Sequence, residues 1–330
     1  MTHKTPQIVD QHGRPHTYLR ISLTDRCNLR CFYCMPEEGI ELTERAHIMS
    51  LEEIISIAKT FVGLGVDTIR LTGGEPLLRK NFAFLLEELS KLGVTLKLTT
   101  NGILLDKYFD LFEKVGLKKI NVSLDTLDKA KAAFITKRDY FDRIMLNVQT
   151  AIKRGFEIKL NVVLIKGTND MEILDFIRLT KEENIQVKFI EFMPFKGNQW
   201  DWSKGVSEEE ILQIAGEHFE GVKALENGPH STSKNFRVAG HLGSFGIIST
   251  ITNPFCSGCN RIRLTADGKM KNCLFANSET DLLSQHRAGV PLEPLIMRSI
   301  LDKKFSRDGM DLKMDAGHYE QNRSMIAIGG

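Results

Sequence analysis

The first 200 residues alternate between two spacings of hydrophobic side chains. Between residues 17 and 24, leucine or isoleucine occupies positions 19, 21 and 23, which is the pattern of a half-buried β-strand. Farther along, Ile54, Ala58 and Phe61 recur at intervals of three and four residues, which is the pattern of an amphipathic α-helix. The two patterns together predict a chain of strand–helix units.

The same two patterns recur up to residue 193. They predict further strands at 66–72, 94–100, 118–124, 157–165 and 185–193, and further helices at 82–92, 106–116, 140–154 and 170–184. Such units predict an α/β fold with a parallel sheet covered by helices. No G-x-G-x-x-G follows any of the strands. We therefore favour a partial (βα)6 barrel of the TIM type, with its chemistry at the carboxyl ends of the strands, over an open doubly wound sheet.

Three helix starts carry capping signals. Ser50 is followed three residues later by Glu53, and Ser207 by Glu210, which is the spacing of a capping box. Asn81 has the position of an N-cap for the helix at 82–92.

The pattern changes after residue 200, so we predict a barrel over residues 1–200 and a C-terminal region over 201–330. That region contains a predicted helix at 207–219, an irregular stretch at 221–245, strands at 243–250 and 260–266 with a hairpin turn at Asp267-Gly268, a helix at 291–304 and a polar tail.

Charge and composition exclude several classes of protein. The 330 residues include 44 Lys and Arg against 42 Asp and Glu, a formal net charge of +2, which argues against nucleic acid as the partner. No run of about 20 apolar residues occurs, and the N-terminus lacks a secretory signal pattern, so we expect no membrane insertion and a cytoplasmic location.

The six cysteines form two groups of three. The first cysteine trio is Cys27, Cys31 and Cys34, with the spacing C-x3-C-x2-C; the second cysteine trio is Cys256, Cys259 and Cys273, with the spacing C-x2-C-x13-C. Disulfides fit poorly because nothing points to export. Structural zinc also fits poorly, because it normally takes four ligands and no histidine lies within ten residues of either trio.

Iron–sulfur ligation fits the trios better, because soft thiolates suit these clusters and short cysteine spacings are typical of them. Three thiolates on a [4Fe–4S] cube leave one iron open for a small molecule. Two such sites in one chain favour two reactive centres.

Several predicted strand ends carry residues suited to binding. Gly73 and Gly74 follow the strand at 66–72, and their amides could donate to a carboxylate. Ser123 ends the strand at 118–124. Arg261 and Arg263 lie two apart on one strand and therefore point to one face, where their guanidinium groups suit an anionic substrate.

The chain resembles the GTP 3′,8-cyclases, which are the molybdenum cofactor biosynthesis protein A family of radical S-adenosylmethionine (SAM) enzymes. The segments that carry the resemblance are TDRCNLRCFYCMP, IRLTGGEPLLR, TTNG, INVSLD, FIEFMPFKGNQW, NPFCSGCNRIRLTADGKMKNCLF and the terminal Gly-Gly. The resemblance covers residues from about 13 to 330 and is most specific in the second cysteine trio with its N-R-I-R sequence.

The resemblance implies that the first trio holds a [4Fe–4S] cluster that cleaves SAM, and that the second trio holds another whose open iron binds guanine. A 5′-deoxyadenosyl radical would take hydrogen from ribose C3′ of GTP, and the C3′ radical would attack guanine C8. The implied SAM contacts are Tyr33, Gly74, Ser123 and Met193. The implied GTP contacts are Arg20, Arg70, Thr99, Lys159, Arg261, Ile262 and Arg263.

The family also implies catalytic roles for Arg261 and Arg263 and for Gly329 and Gly330, whose tail would enter the barrel. Thr68 and Lys188 depart from residues found in some relatives, which puts phosphate contacts at these positions in doubt. The expected partners are an unidentified electron donor, a second copy of the chain, and cyclic pyranopterin monophosphate synthase as the acceptor of the product.

Two other functions remain open from the sequence. One is a radical SAM maturase that modifies a peptide with the help of an auxiliary cluster. The other is a zinc-binding module that contacts nucleic acid. Metal content distinguishes the zinc-binding module from the two radical SAM functions, because a chain with two [4Fe–4S] cubes carries about eight irons.

Overall fold

The computed structural model describes residues 8–35, 39–310 and 321–329. Its strands are β1 Tyr18–Ser22, β2 Thr68–Thr72, β3 Thr95–Thr100, β4 Lys119–Ser123, β5 Glu157–Leu164, β6 Gln186–Glu191, β7 Lys223–Ala224, β8 Lys234–Arg237, β9 Ser244–Ile248, β10 Arg261–Leu264, β11 Lys269–Lys271 and β12 Thr280–Asp281.

Its α-helices cover one side of these strands and the C-terminal region. They are α1 Leu51–Gly63, α2 Phe82–Ser90, α3 Phe109–Lys114, α4 Lys129–Thr136, α5 Phe141–Lys153, α6 Ile173–Glu182, α7 Glu208–His218, α8 Leu282–Arg287, α9 Glu293–Leu301 and α10 Met325–Ile328. None of the helices in the described ranges is long and apolar enough to cross a membrane.

The strands β1 to β6 lie side by side in chain order and pair in parallel, with helices in the connections between them. The predicted α/β fold with a partial barrel is therefore confirmed. The sheet continues into the C-terminal region at both edges, where β10 pairs in parallel with β1 and β9 with β6. The predicted boundary near residue 200 stays a prediction, and strands from beyond it complete the same sheet.

The alternation along each strand separates the core from an inner face. On β5, Ile158, Leu160 and Val162 are buried among other apolar side chains, whereas Lys159 and Asn161 point to the opposite face. This is the arrangement of a barrel whose outer strand faces pack on helices.

All three predicted N-caps are confirmed in position, although one of them makes no capping hydrogen bond through its side chain. Ser50 and Ser207 both form complete capping boxes with Glu53 and Glu210. Asn81 occupies the N-cap position of α2 but has a φ of 58° and makes no side-chain cap. Its left-handed backbone, which asparagine tolerates better than most residues, accounts for its place there.

The stretch 221–245 was predicted as irregular and instead contains β7 and β8. The prediction was wrong because these strands are two and four residues long and largely exposed, so they show little hydrophobic alternation. Helices α4, α8 and α10 were not predicted, since they have at most eight residues each.

Candidate active site

All six cysteines line one cavity of about 710 Å³ inside the partial barrel, which we call the central cavity. The first trio follows the carboxyl end of β1. Cys256 and Cys259 precede β10, which is parallel to β1, so they lie at the opposite end of the strands. Cys273 follows β11, which is antiparallel to β10, and therefore joins them. The expectation that all chemistry lies at the carboxyl ends of the strands was wrong for the second trio.

The first trio is held by backbone contacts in a short loop. The Cys34 and Met35 amides donate to the Cys31 carbonyl at 3.0 and 3.1 Å. The Cys27 sulfur accepts from the Leu29 amide at 3.4 Å and from Asn101 Nδ2 at 3.8 Å. All three thiols are free of disulfides.

Burial raises the pKa of Cys27 to about 11 and that of Cys34 to about 12, and it raises the pKa of Cys31 well above its usual range. The negative charge of Asp125 adds to the rise at Cys31 and Cys34. Thiolates at this place therefore need the positive charge of a bound metal.

Tyr33 anchors the same loop to β4. Its hydroxyl donates to Asp125 Oδ2 at 2.6 Å, and Asp125 Oδ1 accepts from the Val163 amide at 2.9 Å. Burial raises the pKa of Asp125 to about 6, against these hydrogen bonds. Ser123 and Met193, the other predicted SAM contacts with side chains, also line the central cavity.

Gly74 is required by a close backbone approach. A Cβ atom there would lie 2.4 Å from the Arg26 carbonyl oxygen. Its amide donates to the Thr24 carbonyl at 2.7 Å. The prediction that this N–H could donate to a carboxylate of a bound molecule was therefore wrong. The SAM contact at Gly74 stays a prediction.

The second trio lies among cations. Lys303 Nζ is 3.7 Å from Cys259 Sγ, and Arg14 donates to the Cys256 carbonyl at 2.7 Å. Burial by itself would raise the pKa of Cys259, but Lys303 and Arg261 outweigh it and lower that pKa. The pKa of Cys273 is raised by burial, against the effect of Lys303.

Strand register brings basic side chains into one row across the cavity wall. Arg20 pairs with Arg263 on one side and with Arg70 on the other, and Arg70 pairs with Lys97. Residues in register on neighbouring strands point to the same face. The cations on strands that line the central cavity are Arg20, Arg70, Lys97, Lys159, Lys188, Arg261 and Arg263, and Arg138, between α4 and α5, also lines it.

The row is held in place by neutral partners. Arg70 Nε donates to the Tyr18 hydroxyl at 2.5 Å, and its Nη1 donates to Thr99 Oγ1 at 3.1 Å. Arg261 packs over the rings of Tyr18 and Phe255. Burial and neighbouring cations lower the pKa of Lys159, Lys97 and Arg261, lower that of Lys188 to about 7, and lower that of Arg263 to about 10.

A dense positive field in a buried space is unfavourable until an anion enters, because each charge is desolvated and repelled by the others. Lys97, Lys159 and Lys188 make no ion pair with any carboxylate in the described ranges. The cavity is therefore built for a ligand with several negative charges.

The tail enters the barrel. Met325 and Ile326 line the central cavity, and the Gly329 carbonyl accepts from Arg263 at 3.0 Å and from Arg20 at 3.3 Å. Gly329 has a φ of 72°, and a Cβ atom there would lie 2.6 Å from Thr72 Oγ1. Gly330 lies outside the described residues.

Ile262 differs from the other predicted substrate contacts. Its side chain is fully buried in the hydrophobic core, on the face of β10 opposite to Arg261 and Arg263. Only its backbone could meet a substrate.

Tyr18 and Lys97 line the cavity although no sequence pattern identified them, and Lys188, whose contact was in doubt, lines it as well. Lys97 lies between Leu96 and Leu98, which are both buried. A lone basic residue at an alternate position of an apolar strand was the signal that could have found it.

The donor set fits two iron–sulfur clusters. Each trio offers three free thiols, partly buried, at one end of the cavity. In the described part of the chain, no three His, Cys, Asp or Glu side chains converge closely enough to hold a single metal ion. The ligands of a cube bind different irons and do not converge on one point.

Comparisons with known proteins place the chain in a class and then in a family. Residues 21–180 match the family model described as Radical SAM superfamily, and residues 185–308 match that described as Molybdenum Cofactor Synthesis C. The chain is thus a radical SAM protein, for which an iron–sulfur cluster and SAM are the cofactors.

Two named cyclases are similar over nearly all of the chain. The mitochondrial GTP 3′,8-cyclase of Arabidopsis thaliana is 46% identical over 98% of this chain and 83% of its own length. The GTP 3′,8-cyclase of Peptoclostridium acidaminophilum is 42% identical over 98% of both chains. The chain belongs to the GTP 3′,8-cyclase family, as its motifs predicted.

Some relatives are longer. Molybdenum cofactor biosynthesis protein 1 of Dictyostelium discoideum is 44% identical over 98% of this chain, which spans 52% of that protein. Among solved structures, Streptococcus suis SuiB bound to S-adenosylmethionine superposes with a TM-score of 0.57 and 15% identity, covering 87% of this chain and 69% of that one. At that identity the likeness is one of fold.

Proposed function

We propose that this chain is a GTP 3′,8-cyclase that converts GTP to (8S)-3′,8-cyclo-7,8-dihydroguanosine 5′-triphosphate, the first step of molybdenum cofactor biosynthesis. The observation that carries the proposal is the central cavity itself, with one cysteine trio at each end and a row of cations between them. The near full-length similarity to two named cyclases supports it. This similarity also favours a cyclase over a peptide-modifying maturase. The maturase is supported only by the likeness of fold to Streptococcus suis SuiB, which has been solved with a bound precursor peptide.

Two [4Fe–4S] clusters would be held by Cys27, Cys31 and Cys34 and by Cys256, Cys259 and Cys273. When bound, the first cluster together with SAM would supply a 5′-deoxyadenosyl radical able to take hydrogen from ribose C3′. Closure of C3′ onto guanine C8 would leave a radical on the ring, which would take up one electron from the electron donor and one proton to give the dihydro product. The protein supplies binding, orientation and the exclusion of water.

The cation row would hold the triphosphate. Arg20, Arg70, Lys159, Arg261 and Arg263 keep the roles predicted for them, with Thr99 fixing the Arg70 guanidinium. We add Lys97 and Lys188, which line the same cavity. Several fixed cations would hold the nucleotide in one orientation, and holding reacting atoms in place lowers the barrier to a ring closure.

SAM would occupy the end near the first trio, in contact with Tyr33, Gly74, Ser123 and Met193. Guanine would lie at the second trio. Gly329 would enter between the two ligands as part of the catalytic machinery, with its carbonyl directing Arg20 and Arg263, and the catalytic role of Gly330 stays a prediction.

The remaining predictions keep their place in this proposal. Residues 1–200 would form the barrel and 201–330 the region that carries the second cluster. An electron donor would reduce the first cluster, cyclic pyranopterin monophosphate synthase would take the product, and the enzyme would work as a homodimer in the cytoplasm.

An anaerobic assay tests the proposal. Reconstituted, reduced protein is incubated with SAM and with GTP deuterated at C3′, and 5′-deoxyadenosine is analysed by mass spectrometry. Deuterium in 5′-deoxyadenosine is expected. Unlabelled 5′-deoxyadenosine would mean that GTP is not the hydrogen donor, and no 5′-deoxyadenosine from fully loaded protein would refute the radical assignment.

A further inference from the structure

Lys303 has an unusual position beside the second trio. Its side chain is 2% exposed, and its Nζ lies 3.7 Å from Cys259 Sγ and 3.2 Å from the Arg261 carbonyl oxygen. It forms no ion pair with any Asp or Glu among the described residues. A buried ammonium without a counter-charge is costly, so such a residue needs a negative partner.

The main chain at Lys303 is fixed from the N-terminal segment. Gln11 Nε2 donates to the Lys303 carbonyl at 3.1 Å, and His12 Nε2 lies at the same distance from that oxygen. These contacts join segments almost 300 residues apart in sequence. The lysine is therefore not a mobile surface side chain that happens to lie near sulfur.

Arg14 fixes the cysteine loop and the lysine segment to each other. Its Nη1 donates to the carbonyls of Cys256 and Phe305, both at 2.7 Å, and its Nη2 donates to the Lys304 carbonyl at 3.1 Å. Its Nε donates to Asp10 Oδ2 at 2.6 Å in a buried ion pair. This network fixes the main chain on both sides of the contact between Lys303 and Cys259.

Within residues 8–35, 39–310 and 321–329, no lysine or arginine donates to a sulfur of the first trio. The donors to its sulfurs include the Leu29 amide and the Asn101 side-chain amide, and these are neutral. The charged groups that act on it are the carboxylates of Asp125 and Glu75. The two trios therefore differ in the sign of the charge around them.

We propose that Lys303 tunes the second cluster by donating an N–H···S hydrogen bond to Cys259 and by neutralising part of the cluster's negative charge, which raises its reduction potential. Three thiolates leave a cube negatively charged, and reduction adds one more negative charge. A fixed ammonium therefore stabilises the reduced state more than the oxidised one. This inference rests on the second cluster of the proposed function, and Lys303 acts through Cys259 as a positioning residue.

The experiment uses a full-length chain in which Cys27, Cys31 and Cys34 are all replaced by alanine, so that any cluster signal comes from the second trio. In that background we compare Lys303 with Lys303→Met, Lys303→Arg and Lys304→Met. Lys304 is the matched control because it is the next residue, is exposed, and bonds through Nζ to the Asp308 carbonyl rather than to sulfur. Iron per chain and the midpoint potential from an EPR-monitored titration are measured.

Lys303→Met is expected to shift the midpoint potential to a more negative value, Lys303→Arg to retain most of the parent value, and Lys304→Met to leave it unchanged. An unchanged potential in Lys303→Met with iron still bound would overturn the inference and leave the cluster assignment intact. A parent that binds no iron would overturn both.

Thermal unfolding of the iron-free variants guards against a structural effect. Lys303→Met removes a buried unpaired charge, so its midpoint temperature is expected to be equal to or above that of the parent. If Lys303→Met is well folded and fails to retain iron while Lys303→Arg retains it, the result supports the proposed role of the charge. Loss of iron in both variants with a lowered midpoint temperature would show that Lys303 is structural only.

Discussion

The two cysteine trios present the same number of thiols to opposite surroundings. Around the first trio, burial and the carboxylate of Asp125 raise thiol pKa values. Around the second, Lys303 and Arg261 lower the pKa of Cys259 in spite of its burial. Cysteine spacing identifies a set of ligands, and the charges around that set determine what a cluster bound there can do.

The difference extends to the ligands that each end of the cavity suits. Asp125 lines the cavity near the first trio, where SAM would bring a sulfonium and an ammonium group. The second trio adjoins Arg261 and Arg263, where an anionic nucleotide would lie. One cavity thus has an end suited to a cation and an end suited to an anion.

The largest expected effect comes from removing one ligand of each trio. Cys31→Ala should abolish 5′-deoxyadenosine formation. Cys259→Ala should retain SAM cleavage at a reduced rate but form no cyclised product. Anaerobic assays that measure 5′-deoxyadenosine and the cyclised product separately test this difference between the two variants. Identical profiles in the two variants would show that the trios do not have separate roles.

Gly329→Ala is expected to lower turnover about 100-fold, because misplacement of a group by about 1 Å has that cost. The new Cβ atom would lie within 2.6 Å of Thr72 Oγ1 and shift the carbonyl bonded to Arg263. Gly289→Ala is the matched control, since Gly289 has a φ of 71° and open space around its Cα. Iron content should be unchanged in both, and equal turnover in the two variants would contradict the prediction.

GTP affinity should fall with rising pH. Burial and nearby cations hold the pKa of Lys188 at about 7, and a bound triphosphate favours its charged form, so GTP binding takes up a proton. We expect the Kd to rise about tenfold between pH 7 and pH 8.5, with a flatter profile in Lys188→Met. Calorimetry under anaerobic conditions measures this, with exposed Lys153→Met as control.

A flat profile in the parent protein would show that Lys188 does not contact the anion. A profile in Lys153→Met that differs from the parent would show that surface charge, rather than the cavity, sets the dependence.

The smallest expected effect concerns one carboxyl group beside each trio. The pKa of Asp125 is raised by burial to about 6, so its contribution to stability is present below pH 4 and is lost as pH rises through 6. Hydrogen bonds from His16 and Arg14 lower the pKa of Asp10 to about 2 against its burial, so its contribution is present above pH 4 and is lost as pH falls through 2.

Thermal unfolding of the iron-free protein tests both predicted dependences of stability on pH. Relative to the parent, Asp125→Asn should gain a few degrees as pH rises from 4 to 7, and Asp10→Asn should lose a few degrees as pH rises from 2 to 4. If the unfolding temperatures of both variants, relative to the parent, changed in the same direction with rising pH, the predicted electrostatic difference between the two ends of the cavity would be wrong.

Strand alternation made the basic face of the barrel visible in the sequence. Arg20, Arg70 and Lys159 each lie between apolar neighbours on a strand, so the alternation agrees with the contacts that the resemblance implies for them. Ile262 was included only by resemblance, and its burial follows from the same alternation that exposes Arg261. The prediction for Gly74 identified the need for glycine but not its cause, because the close approach involves the Arg26 carbonyl on another loop.

What the sequence did not show depends on contacts between distant segments. Lys303 lies 44 residues from Cys259, and Arg14 lies 242 residues from Cys256. Neither residue belongs to a motif. Local patterns report helix starts and strand faces, whereas the charge around a cluster is set by whichever segments pack there.

The pairing of β1 with β10 has a consequence for how the protein is made. Tyr18 is in register with Arg261, so this edge of the sheet closes a loop of more than 240 residues. Such a closure cannot occur on the ribosome until nearly the whole chain has emerged, and pairings of this length form slowly. During synthesis one edge of the first strand therefore stays unpaired until β10 has been made, and an unpaired strand edge is a site at which chains aggregate.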